Sequence, residues 1–303
     1  MYLVVGATGQ SGGAVVDALC ARAAPVRVLV RPGRETASFR ARGCDVVVGD
    51  LTRPASLPAA LEGVTGVALF VGIGHDTRTR PREVRAVEIE GNRALIGLAA
   101  ATGSAPAVVY LSALMVEHAP WVRPFAAKSE TERRIRDSGL PFTILRPSNF
   151  IESIVGDFTQ NGVANLAGSF PHPTSPLSVR DLGAIAARVL TEIGPSGAVH
   201  ELFGPATLTY RQVIERWAAA RDEPVRFRSM PLAAFRALAT LASPARPMLP
   251  IIAELMRSFN ELDWSGDPTE ARRLAGRELL TVSQAAVLEH SKEVHQAPPS
   301  RSR

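Results

Sequence analysis

Lysine is almost absent from this chain: of its 34 basic residues only Lys128 and Lys292 are lysine, and the rest are arginine. Arginine stays charged and does not readily exchange a proton, whereas lysine does. A chain that keeps lysine at position 128, in the middle of the fold, hints at a need for an amine there; the alternative is chance retention on a helix surface. Tyrosine is scarce too, limited to Tyr2, Tyr110 and Tyr210. The two cysteines, Cys20 and Cys44, are too few for a disulfide framework, and no Cys/His cluster has metal-ligand spacing. They read as buried thiols in a reducing compartment, one in a helix and one in a strand. No run approaches the roughly 18 apolar residues that a membrane span needs. A strand opening at the first residues leaves no room for a signal peptide, so a cytoplasmic location is expected.

The net charge of +5 and pI of about 9.8 raise the question of nucleic acid. The basic residues are scattered, however, and alternate with acids, as in Glu130-Thr131-Glu132-Arg133-Arg134, so solvated helix faces explain them better. A hydrophobic content of 46% excludes global disorder and allows a large core.

What the chain does have is an apolar run, Tyr2–Val5, that feeds into Gly6-Ala7-Thr8-Gly9-Gln10-Ser11-Gly12-Gly13 and then into a helical pattern. A strand, a tight turn and a helix N-terminus at one point gather free N–H groups and the positive end of a helix dipole, which suit a pyrophosphate. The spacing Gly6-x-x-Gly9-x-x-Gly12 differs from the usual G-x-G-x-x-G, and an ordinary strand–helix loop is the plain alternative; the strand–turn–helix context favours a dinucleotide.

Valine-rich runs predict further strands at 26–30, 45–48, 66–71, 107–111 and 142–145, with helices over 11–22, 36–41, 54–61, 82–101 and 125–138. This alternation predicts an α/β fold, a doubly wound parallel sheet. Regularity falls after Pro147: residues 156–176 read as loops and short strands, 178–193 as a helix, 199–203 as a strand, 210–220 as a helix capped by Thr209, and 225–229 as a short strand. A mostly helical pattern then runs over 232–289, broken at 243–250. The expected organisation is a dinucleotide-binding domain over 1–150 to which 178–205 return, a smaller, mostly helical substrate or partner lobe over 151–292, and a disordered tail over 293–303.

The second strand ends Val30-Arg31-Pro32-Gly33-Arg34, with no acid between Val26 and Arg34 to bind a ribose 2′-hydroxyl. Arg31 instead suits a 2′-phosphate, favouring NADP(H) over NAD(H), although a solvated arginine is the alternative. Asp50 and Leu51, after the third strand, are candidates for the adenine amino group and ring; Asp50 could equally be a helix cap. Val71 and Gly72 after the fourth strand leave room for the middle of a dinucleotide.

Together these motifs resemble the NmrA-like family of atypical short-chain dehydrogenase/reductase proteins. The likeness is carried by Gly6-Ala7-Thr8-Gly9-x-x-Gly12, Arg31, Gly49-Asp50-Leu51, Glu90-Gly91-Asn92, Tyr110-Leu111-Ser112-Ala113, Phe125-Ala126-Ala127-Lys128-x-x-x-Glu132 and Leu140–Phe150, and extends through Ser178–Leu182 and Leu202-Phe203-Gly204-Pro205. It implies a Rossmann domain that binds NADP(H), in a family of quinone and other carbonyl reductases and of redox sensors without turnover. It implies nicotinamide contacts from Pro147, Ser148, Asn149 and Phe150, and a lysine at the position of Lys128 that related isoflavone-reductase-like enzymes use.

Ordinary short-chain dehydrogenases carry Tyr-x-x-x-Lys, but the tyrosine position here is Pro124. Tyrosine-driven reduction would need Tyr210 to fold in from the second lobe. Lys128 therefore either bonds the nicotinamide ribose alone or also donates a proton to an oxyanion, and helical spacing places Glu132 one turn from it. Ser112 is a candidate substrate-polarising hydroxyl or a plain polar strand end. Glu152 is a substrate-side candidate, and His75, Asp76 and His118 lie in loops expected at the cofactor edge, where a surface role is the simpler reading. No nucleophile-elbow sequence supports a Ser/His/Asp triad. The functional expectation is an NADP(H)-dependent reductase of a quinone, enone or other small carbonyl compound. The alternative is a non-catalytic NADP(H) sensor with a protein partner. A sugar-nucleotide epimerase fits less well, because such enzymes normally keep the tyrosine. Helix 82–101 is a candidate pairing surface for a homodimer.

Overall fold

The computed structural model describes residues 1–72 and 77–296. His75 and Asp76, and the tail beyond Gln296, lie outside the described residues. The strands are β1 (Tyr2–Val5), β2 (Val26–Val30), β3 (Asp45–Val48), β4 (Gly66–Leu69), β5 (Ala107–Leu111), β6 (Phe142–Pro147), β7 (Thr159–Gln160), β8 (Val163–Ala167), β9 (Val199–Leu202) and β10 (Arg226–Met230). The α-helices of the first half are α1 (Gln10–Cys20), α2 (Ala37–Ala41), α3 (Pro58–Leu61), α4 (Pro81–Arg85), α5 (Asn92–Ala101) and α6 (Arg123–Asp137). Those of the second half are α7 (Ile151–Phe158), α8 (Val179–Arg188), α9 (Tyr210–Ala220), α10 (Leu232–Ala242), α11 (Leu249–Glu261), α12 (Thr269–Ala275) and α13 (Val282–Gln296).

Seven strands form one parallel sheet in the order β3-β2-β1-β4-β5-β6-β9. Alternate side chains of its inner strands are buried on opposite faces, because helices cover both. Val4, Val28 and Ala68 pack with Val15, Val16 and Leu19 of α1 and Leu182, Ile185 and Ala186 of α8. Leu3, Val5, Val67 and Leu69 pack with Leu61, Leu95, Ile96 and Ile135 of α3, α5 and α6. α8 lies so close along α1 that a side chain at Gly183 would collide with the backbone of Ala14. The order reverses between β1 and β4, and a crevice opens there at the carboxyl ends of the strands.

The remaining strands make a small sheet, β10-β8-β7, beside α7, α9 and α13. Phe158, Phe170, Tyr210, Val213 and Trp217 form the core of this smaller lobe. Leu114, Met115, Val116 and Phe125 meet Trp264 where it joins the main sheet.

Several elements depart from the sequence expectation. β4 ends at Leu69; Phe70 N still donates to Val5 O of β1 at 2.9 Å, and Val71 and Gly72 run on beyond the ladder at the crevice. The helix expected over 54–61 is a 3₁₀ turn, Pro54–Ser56, followed by α3, because Pro58 removes an N–H. The helix expected over 82–101 contains a six-residue π turn, Ala86–Gly91, between α4 and α5. α7 was not expected; Ile151, Ile154 and Phe158 fall at helical spacing and are all buried. α13 continues to Gln296, beyond the tail boundary expected at 292. Cys44 precedes β3 rather than lying in it, and its Sγ is 3.8 Å from that of Cys20, both thiols free. Burial pushes the Cys44 thiol up to about 11, so it stays protonated and a poor nucleophile.

Candidate functional site

The glycine turn is built so that helix α1 can start against the end of β1. Gly6 has φ +91°, and a side chain there would strike the carbonyl of Phe70. Gly12 is pressed onto the turn itself, where a side chain would strike Gly6 O. Gly9 donates to Gly6 O at 2.9 Å and serves as the N-cap of α1. Among the described residues no side chain caps this N-terminus, and its first turn holds no acid, so its leading N–H groups remain available to an anion. Thr8, Gly9 and Gln10 are exposed there, and Ser11 is partly buried.

From this turn a cavity of about 610 Å³ runs along the crevice. Its walls include Gly6, Thr8 and Gly9 together with Arg31, Asp50, Leu51, Val71 and Gly72. Gly72 faces open space, whereas a side chain at Gly91 would collide with Leu51, so Leu51 is backed directly by the π turn. Arg31 and Arg34 line the same cavity and are exposed. Asp50 lines the same wall, but its Oδ1 accepts from Thr52 N and Oγ1, both at 2.8 Å, so only part of its carboxylate faces the cavity. Gln10 instead borders a neighbouring cavity of about 900 Å³ on the α1–α8 side, with Arg34 and Arg180. The smaller cavity is the one that follows the sheet edge, and its glycine cradle, cations and length of crevice fit a dinucleotide phosphate.

Beyond that cavity, β5, β6 and α6 bring a second group together. Lys128 is partly buried and donates to Leu111 O at 2.9 Å, with Nζ 5.5 Å from the centre of the Tyr110 ring. Burial pulls its amine below the usual lysine range. Glu132 does share its helix, but its carboxylate is turned to Arg146 at 2.7 Å, to Arg136 at 3.0 Å and to the Ser112 hydroxyl. Ser112 is therefore buried with its proton committed to Glu132.

Pro147 closes β6 opposite Leu202 of β9. Asn149 Nδ2 donates to Tyr210 at 2.6 Å and to Thr174 at 3.2 Å, so Tyr210 does reach the strand end from the second lobe. Tyr210 is 1% exposed, its ring tilted at 45° against that of Phe170 with centroids 4.7 Å apart, and burial holds its hydroxyl well above the usual phenol range. Tyr210 is a packed structural phenol, not an acid open to the crevice. Phe150 bridges to Leu177 and packs on the core. Glu152 faces inward too: it accepts from Ser178 Oγ at 2.6 Å and Val179 N at 3.0 Å, anchoring the start of α8. His118 is exposed.

One residue of this region was missed. Glu88, on the π turn, lines the cavity while only 2% exposed, and neither carboxyl oxygen has a partner among the described residues. The signal was present: Glu88 and Asn92 precede Leu95, Ile96 and Ala99 on the face that α5 turns inward, so two polar residues stand where apolar ones belong.

A parallel sheet of this order, with a glycine turn at its switch point and an uncapped helix behind it, defines a dinucleotide-binding Rossmann protein. The chain belongs to the NmrA-like family, whose model matches residues 2–292. It is 31% identical over 298 residues to the (4-alkanoyl-5-oxo-2,5-dihydrofuran-3-yl)methyl phosphate reductase of Streptomyces griseus, covering 89% of this chain and 99% of the relative. It is 24% identical to photosystem II assembly factor Ycf39 of Synechocystis, over 93% of this chain and 81% of that one. The crystal structure of an NADPH-dependent quinone oxidoreductase of Escherichia coli, complexed with NADPH, has the same fold with a TM-score of 0.76 at 24% identity, covering 96% of this chain and all of that one. Among the described residues no group of three or more His, Cys, Asp or Glu could hold a metal ion, and no helix is long and apolar enough to cross a membrane.

Proposed function

We propose that this NAD(P)H-dependent oxidoreductase uses NADPH to reduce a quinone, enone or other small carbonyl compound. The observation that carries the reading is the position of Lys128: its amine donates to Leu111 O at the carboxyl end of β5, the end of the sheet at which the crevice opens. In this reading Gly6, Gly9 and Gly12 shape the cradle for the pyrophosphate. Arg31, with Arg34, takes the 2′-phosphate through charge-assisted bonds. Leu51 backs the adenine and Asp50 offers it an acceptor. Bound there, the cofactor supplies the hydride; orientation and charge stabilisation fall to the protein.

In the same reading Lys128 supplies the accompanying proton. One donor position is fixed by Leu111 O, which orients the ammonium and leaves its other protons for a ribose hydroxyl and a developing oxyanion. Ser112 acts through Glu132, helping to hold its carboxylate toward Arg146. The enone class is favoured by the Streptomyces relative, whose named substrate is an unsaturated oxo-dihydrofuran.

The test is NADPH oxidation across a panel of quinones, enones and aromatic ketones, with turnover expected in at least one class. A second reading, a non-catalytic NADP(H) sensor for a protein partner, is supported by Pro124 at the tyrosine position and by the engaged Ser112 hydroxyl. Tight NADPH binding with no turnover on the whole panel would favour it.

A further inference from the structure

A lysine that gives up a proton at each turnover must be recharged. The group best placed to do this is Glu88, on the π turn Ala86–Gly91. It is buried, lines the cofactor cavity, and carries two carboxyl oxygens without a hydrogen-bond partner among the described residues. Buried polar groups almost always find a partner in protein or water, so a bare carboxyl at a cavity wall faces something the fold itself does not supply. Asn92 Oδ1, one turn further on, is also without a partner among the described residues.

The backbone of the π turn is tied to the helix that carries Lys128. The Glu88 carbonyl accepts from Asn92 Nδ2 at 2.8 Å and from Thr131 Oγ1 at 3.0 Å. Thr131 follows Lys128 by three residues on α6, so both look onto the same turn. The Lys128 ammonium and the Glu88 carboxyl influence one another's ionisation. The other titratable groups facing them are Tyr110 on β5, whose hydroxyl burial keeps protonated, and Glu132 on α6, which Arg146, Arg136 and Ser112 occupy. Glu83, Asp50 and Arg31 line more distant parts of the same cavity.

We propose that Glu88 is the proton store that recharges Lys128 during reduction, an inference that rests on the reductase reading above. The substrate receives hydride from the cofactor, and its oxygen takes a proton from the Lys128 ammonium, leaving the neutral amine. The Glu88 carboxylic acid passes its proton to that amine through water in the cavity, since the two groups share no direct hydrogen bond, leaving an ammonium–carboxylate pair. Glu88 then regains one proton from solvent through the open cavity, the single proton that the overall reduction consumes. Burial, which raises the carboxyl and lowers the amine, narrows the gap between donor and acceptor. Glu88 touches neither substrate nor reacting atoms in this scheme and acts only through Lys128.

The near absence of lysine makes the test direct. Isotopic labelling of lysine gives one resonance for Lys128 and one for Lys292, which serves as the reference. In the protein without cofactor, Glu88→Gln should lower the titration midpoint of Lys128 by about one pH unit and leave Lys292 unmoved. At saturating NADPH and acceptor, the same variant should lose about tenfold or more in kcat, most on the alkaline side, while its KM for NADPH stays constant. Glu88→Asp, which keeps an acid, should recover part of the rate. An unmoved Lys128 midpoint would overturn the proposal. So would a loss confined to the KM for NADPH, which would make Glu88 a cofactor contact. Absence of turnover with every acceptor would defeat the reductase reading, and the Lys128 midpoint would still decide whether the two residues share a proton.

Discussion

At the scale of single residues, charge type matters more than charge number. Lys128→Arg keeps the positive charge and effectively removes the transferable proton. If the amine donates, the variant should lose about 10²-fold or more in kcat while still binding NADPH, measured by stopped turnover and fluorescence titration. Undiminished turnover would reduce Lys128 to a ribose ligand. Arg31 makes the complementary case. It is exposed, so its removal should leave stability nearly untouched. Arg31→Ala should weaken NADPH about tenfold or more and NADH hardly at all, because only the former carries the phosphate. Equal losses for the two cofactors would remove Arg31 from the phosphate site.

At the scale of elements, the group around Glu132 joins β5, β6 and α6. Glu132 is 1% exposed and Arg146 5%, and they share two hydrogen bonds, at 2.9 and 2.7 Å. Arg146→Met leaves that carboxylate buried without its main partner and should cost about 3–5 kcal/mol in urea denaturation. Replacing both residues by apolar ones of similar volume should recover most of that loss, since a buried pair is worth little beyond its own desolvation. How much of this was legible differs from element to element. The sheet was, because strands covered on both faces are written in valine, and the glycine turn was, because its strand and helix flank it. The π turn was not, because one extra residue in a helix leaves the apolar period nearly unchanged. Glu88 was hidden with it, among acids and arginines that read as a solvated surface. α7 was hidden by its brevity and by the loops around it. The partners of Ser112 and Asn149 were illegible for a different reason: each lies on an element remote in sequence, α6 for the first, and the segment before α8 and α9 for the second.

At the scale of the whole molecule, the two parts of the chain are fastened by buried polar groups. Glu152 of α7 accepts from Ser178 and Val179 at the start of α8, and burial raises its carboxyl above the usual range. The unfolded chain releases that proton at lower pH than the folded one does. The contribution of Glu152 to stability is therefore largest below the ordinary carboxyl range and is lost as pH rises through the raised folded value. Glu152→Gln keeps an acceptor oxygen and cannot titrate. Its stability relative to the parent should improve steadily from acid to neutral pH, as read by thermal denaturation at a series of pH values; a pH-independent difference would contradict the raised carboxyl. The packing of α8 on α1 has a consequence for synthesis. The cofactor turn is made before α8 and β9, yet the apolar side of α1 stays bare and the β6 edge unpaired until those two elements have been made. Pairings this distant in sequence form late and slowly. The cofactor turn is thus complete in sequence long before it can hold its cofactor, and until Leu202 is out the growing chain depends on protection from its surroundings.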